Sequence, residues 1–107
     1  MSEIQKPRVI TDYEKLDEMI VEQIKLEYPY GFSQNLISFT NAQGKSIRGL
    51  RFETDEKIYL IRMTEEEAVT IVDEDDDFDD DGNLKEDIKD EYEDKYSDFE
   101  EDDFDDD

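Results

Sequence analysis

Cysteine and histidine are both missing from the 107-residue chain. Without cysteine there is no disulfide and no thiolate metal site, which suits a reducing cytosol. Without histidine the commonest general base, the commonest zinc ligand and the near-neutral pH switch disappear together. Glycine occurs only four times, and no glycine-rich loop of the phosphate-cradling kind is present. The longest uninterrupted aliphatic or aromatic run is Ile58 to Ile61, and residues 1–10 contain no apolar stretch. Neither a signal peptide nor a membrane span is expected.

Charge is the abundant quantity, and it is unevenly placed. The chain holds 35 Asp and Glu against 12 Lys and Arg, a net charge of −23. From Asp73 to Asp107 there are 22 acids and three lysines (Lys85, Lys89 and Lys95), a net −19, which leaves −4 for the preceding 72 residues. The sequence therefore predicts a small α+β domain over 1–72 and an acidic tail over 73–107. About 70 residues make a marginal core, so any apolar element lent by the tail matters. Strong negative charge repels nucleic acid phosphates and anionic lipid and attracts basic protein surfaces. A cytoplasmic monomer that binds neither nucleic acid nor membrane directly is the expectation.

Along the chain, Arg8 to Ile10 reads as a short edge strand. Thr11 with Glu14 three residues on forms a capping-box pattern. Tyr13, Leu16, Ile20 and Ile24 then follow on one helical stripe, with Met19 beside them and Glu22 and Lys25 on the other side. Pro29 and Gly31 end that helix. Residues 35–40, 45–54 and 57–63 read as a three-stranded antiparallel meander, with the turn Asn41 to Gly44 between the first two. Both faces of the third strand are apolar, so it calls for cover on each. Thr64 and Glu67 form a second capping-box pattern, opening a helix that carries Ala68, Val69, Ile71 and Val72.

The tail has a pattern of its own. Leu84, Ile88, Tyr92, Tyr96 and Phe99 recur at helical spacing with acids between them. This predicts a helix over 84–98, docked on the uncovered sheet face or folding on a partner, followed by a disordered end. Phe99 and Phe104, with Tyr92, Tyr96 and the neighbouring Asp102 and Asp103, are candidate partner-binding residues. Desolvated aromatics dominate binding energy, and acids speed the encounter. The plainer reading makes Tyr92 and Tyr96 core. Arg51 and Arg62 are candidates to receive carboxylates of the third helix; the plainer reading is a solvated sheet edge.

Two chemical readings need weighing. Asp77, Asp79 and Asp81, followed by Gly82, match the opening of an EF-hand loop and would be calcium ligands. The twelfth loop position, where a bidentate Glu belongs, is Ile88. No other cofactor is implied. For catalysis, neither His nor Cys is present to activate Ser33, Ser38, Ser46 or Ser97, so no catalytic residue is assigned and an enzyme is not expected.

Residues 10–25, 28–32, 52–64, 79–87 and 92–98 together resemble a small family of acidic-tailed Bacteroidota proteins, some members of which bear the label DNA primase. Nothing in these residues resembles a primase metal-binding or polymerising site. The resemblance implies an intracellular bacterial protein. The tail alone, in composition, is similar to that of the delta subunit of Gram-positive RNA polymerase, whose tail competes with nucleic acid for basic surfaces. The expected function is a non-enzymatic acidic adaptor or nucleic-acid mimic that occupies a basic surface of a nucleic-acid-handling machine such as RNA polymerase. The alternatives are a calcium-responsive module and a domain that binds through its sheet, its tail serving solubility.

Overall fold

The computed structural model describes residues 6–105, with side chains described through Ser97. The fold is α+β, built on one mixed four-stranded sheet. In chain order the strands are β1 (Arg8–Asp12), β2 (Ile37–Thr40), β3 (Ser46–Glu53) and β4 (Ile58–Arg62), and they lie side by side as β1-β4-β3-β2. The helices are α1 (Glu18–Glu27), α2 (Glu65–Asp73) and α3 (Glu86–Asp105).

The antiparallel part follows from local rules. β2 and β3 pair as Ile37 with Gly49 and Phe39 with Ile47. Their turn is closed by Asn41 Oδ1, which accepts the N–H groups of Gln43 and Lys45, an Asx arrangement that mimics a backbone turn. β3 continues into β4 with Leu50 opposite Ile61 and Phe52 opposite Tyr59. The sheet is not a three-stranded meander, however. β1 adds to β4 in parallel, Arg8 beside Ile58 and Asp12 beside Arg62.

That fourth strand overturns the first expected helix start. Thr11 lies in β1 opposite Ile61, so it caps nothing. After a single 3-10 turn at Tyr13–Lys15, α1 begins at Glu18 with Asp17 at its N-cap. The strand prevails because ladder hydrogen bonds to an otherwise open β4 edge satisfy more backbone groups than one extra helical turn would. The stripe itself persists: Leu16, Ile20 and Ile24 all reach the core, while Met19 is exposed.

α2 begins where its capping box predicts. Thr64 Oγ1 accepts the Glu67 N–H at 3.0 Å, and Glu67 Oε1 accepts the Thr64 N–H at 2.9 Å. Ala68 and Val72 are buried by it, and Val69 faces solvent.

The core lies between one sheet face and the helices, and it draws on both sides of residue 72. Ile24, Phe32, Leu50, Phe52, Ile61, Met63, Ala68 and Val72 are joined by Phe78 and Leu84 from the acidic third. Phe32 is central, with Phe78 edge-on at 5.8 Å between ring centroids and Tyr13 tilted against it at 5.7 Å. A bridge between Phe78 and Leu84 closes the acidic loop, and Gly82 turns it with a positive φ of 84°. The Leu84 N–H is donated to the Pro29 carbonyl at 2.7 Å. Leu84 is thereby held outside the helix, so α3 starts at Glu86, two residues later than its apolar spacing suggests. It also continues to Asp105, through residues expected to be disordered, with no glycine or proline to break it; residues 106 and 107 lie outside the described residues.

One glycine is fixed by packing. A Cβ on Gly49 would overlap the Ile61 carbonyl oxygen and crowd the Arg62 Cα. Because neither strand can yield there without loss of ladder bonds, Gly49→Ala is expected to cost at least about 2 kcal/mol. Urea unfolding of the two proteins checks this.

Candidate functional site

The acidic third is fastened to α1 by two polar junctions. Glu22 and Lys25 stand three residues apart on α1, hence side by side. The sequence placed both on the solvent side, and the structure buries both. Lys25 Nζ donates to Asp75 Oδ2 at 2.7 Å and to Asp77 Oδ2 at 2.8 Å. The Tyr92 hydroxyl donates to the same Asp77 oxygen at 2.7 Å. One turn away, Glu22 Oε1 accepts from the Tyr96 hydroxyl at 2.6 Å and from Lys95 Nζ at 2.8 Å. Ascending α3 from Tyr92 to Tyr96 descends α1 from Lys25 to Glu22, so the two helices run antiparallel.

The charge states follow from these contacts. Burial acts to raise the Glu22 pKa, but hydrogen bonds from Lys95 and Tyr96 and the nearby lysine charges outweigh it, and the carboxyl sits below its usual range. Asp77 behaves likewise, burial being overcome by Lys25 and Tyr92. For Lys25 burial opposes the charge, while Asp75 and Asp77 hold it, and the net shift is upward. Burial, assisted by the Glu22 carboxylate, pushes the Tyr96 hydroxyl to about 12. Burial also pushes Tyr13 to about 12, and its hydroxyl has no hydrogen-bond partner among the described residues.

A pH dependence follows. Glu22 and Asp77 have folded pKa values below their unfolded ones. Their stabilisation is therefore complete above about pH 5 and is lost as pH falls through the lowered values. The thermal midpoint is expected to drop on acidification through that range, and Glu22→Gln to flatten the drop. Scanning calorimetry of both proteins as a function of pH measures it.

The other sequence candidates fall in different places. Tyr92 and Tyr96 are half-buried with their hydroxyls engaged inside the chain. Arg62 pairs with Asp12 through two hydrogen bonds of 3.0 and 3.1 Å, and Arg51 pairs with Glu53 at 2.9 Å. Among the described residues neither arginine receives a carboxylate of α3, which is fastened to α1. The side chains of Phe99, Asp102, Asp103 and Phe104 lie outside the described residues. Asp77 faces Lys25, Asp79 Oδ1 accepts the N–H groups of Asp81 and Asn83, and Asp81 is exposed. Among the described residues no three acidic side chains converge as a metal shell requires.

Sequence reasoning missed Glu22, Lys25 and Asp75. The one available signal was that two residues of the tail stripe, Tyr92 and Tyr96, carry hydroxyls that seek polar partners when buried.

With the inner face of α3 so occupied, its outer face displays Glu86, Asp87, Asp90, Glu91, Glu93 and Asp94 to solvent. Beside its N-terminus, Asp79, Asp80 and Asp81 rim a cleft of about 300 Å³ floored by Phe32, Ala68 and Val72. No helix among the described residues is long and apolar enough to cross a membrane. No family model, curated protein or solved structure matches the chain.

Proposed function

We propose that the protein is a non-enzymatic acidic interaction module that occupies a basic surface of a nucleic-acid-handling machine, RNA polymerase among them, in place of nucleic acid. What supports this is the line of charge on α3. The helix holds twelve acids and two lysines in 20 residues, a net −10 over about 30 Å at 1.5 Å per residue. That is one net charge per about 3 Å, close to the ~3.4 Å spacing along one strand of duplex DNA. A basic groove that accommodates a phosphate strand meets a comparable field here. The junctions at Lys25 and Glu22 hold the first turns of this line to a folded body, so less ordering entropy is lost on binding than for a loose acidic tail.

The test uses the full chain and a variant with Glu86, Asp87, Asp90, Glu91, Glu93 and Asp94 changed to their amides. Binding to RNA polymerase core is measured along a salt series, with duplex DNA as competitor. The parent protein is expected to lose at least about tenfold in affinity between low and physiological salt and to be displaced by DNA, and the variant to show a shallower slope. Equal affinity and equal slope for the two proteins would sink the proposal. Truncation after Val72 is the wrong control, because it removes Phe78 and Leu84 from the core.

A further inference from the structure

Strand alternation gives the sheet two faces, and among the described residues the helices cover only one of them. Leu50, Phe52, Tyr59 and Ile61 point toward the helices and join the core. On the opposite face the pairings align Ile10 with Leu60, place Ile37 opposite Gly49 and Phe39 opposite Ile47, and put Ile58 beside Arg8. None of these six apolar residues packs into the core cluster. Both apolar faces of β4 called for cover, and the helix expected to supply the second cover is spent on α1. Leu60, on the central strand β4, is 4% exposed, while Ile10 and Ile37 at the two edges are 37% and 40% exposed.

The charges of this face decide what fits it. Arg8, Arg51, Arg62 and Lys6, which pairs with Glu53, stand against Asp12 and Glu53, a net of +2 in a chain of −23. Two of the arginines are already paired within the face, Arg62 with Asp12 and Arg51 with Glu53. A basic partner finds no attracting field, and an acidic one finds mostly neutralised arginines. A second copy brings a matching apolar surface whose charges, apart from Arg8, are paired within the chain.

We propose that two copies of this chain associate back to back through the open sheet face. Packed sheets lie about 10 Å apart, and in each copy the helices, α3 included, lie on the far side of its own sheet. The two acidic helices end up on the order of 30 Å apart, several times the ~8 Å screening length at physiological ionic strength. In this orientation two chains of −23 meet with their acidic helices turned away from each other. Four strands of about five residues give a footprint of roughly 300 Å² per copy, well under the ~800 Å² per partner of a stable interface. The pair is therefore reversible and concentration-dependent. It leaves α3 free, and so stands independently of the proposed function.

Sedimentation equilibrium of the full chain up to millimolar concentration, at low and at high salt, tests it. The weight-average mass is expected to rise above 12.7 kDa toward twice that value, and more readily at high salt, opposite in sign to the salt dependence of α3 binding a basic surface. Ile37→Lys on one edge and Ile10→Lys on the other should each weaken association at least about tenfold. Met19→Lys, at an exposed position on the helical side, should leave it unchanged. A mass that stays at the monomer value under all conditions overturns the proposal. So does undiminished association of both edge variants, or loss of association in Met19→Lys.

Discussion

Replacing Lys25 with methionine is expected to destabilise the protein by about 3 kcal/mol and to release α3 from α1. Methionine matches the lysine stem in length, so the change removes charge and hydrogen bonds while keeping most of the packing. Asp75 and Asp77 are left facing each other across the vacated position, with only Tyr92 still donating to Asp77. Breaking a fully buried pair costs about 3–5 kcal/mol. The lower end applies because both aspartates retain about a fifth of their side-chain surface in water, 20% and 21%. Denaturant unfolding followed by tyrosine near-ultraviolet dichroism reads both effects. Adding Asp75→Asn and Asp77→Asn to Lys25→Met should restore much of the loss, since the cost lies in unpaired charge. A Lys25→Met protein as stable as the parent would show that the junction is not buried in solution.

Phe78→Ala is expected to cost more, about 3–5 kcal/mol, the range for emptying a buried phenylalanine site. Phe78 is 5% exposed and packs edge-on against Phe32, itself 1% exposed. Little can collapse into the vacated space, because the loop around it is pinned by the Phe78–Leu84 bridge and by the Leu84 N–H on the Pro29 carbonyl. The stability of a domain of this size is about 5–15 kcal/mol in all, so one substitution in the acidic third would remove a large share of it. Thermal unfolding of the variant decides the point. A midpoint within a degree or two of the parent would mean that Phe78 is not part of the cooperative core. Both substitutions leave the outer carboxylates of α3 in place, so any loss of partner binding they cause is attributable to the loss of docking.

How legible these features were depended on range. The capping box at Thr64 and Glu67 could be read directly, because its two hydrogen bonds join residues three apart. The hairpin at Asn41 to Gly44 was legible for the same reason. The apolar stripe Leu84, Ile88, Tyr92, Tyr96 correctly marked a helix in the acidic third, since periodicity survives whatever the helix packs on. The same local logic misplaced the start of α1, where Thr11 and Glu14 formed an equally good capping pattern. Nothing near Thr11 reveals that a strand edge 50 residues away would compete for its backbone.

By itself the sequence determined the segregation of charge, the absence of the side chains on which thiol and imidazole chemistry depends, the helical and strand periods and one helix cap. These are properties of composition or of residues within one turn of each other, and no partner element is needed to express them. Only the tertiary structure decided that β1 lies parallel to β4, that α3 rests on α1, and that Glu22 and Lys25 are buried. Each of those outcomes pairs residues about 50 to 74 positions apart. On an isolated helix Lys25 is a solvated cation like any other; it becomes a buried one only when Asp75, Asp77 and Tyr92 arrive to compensate its lost hydration.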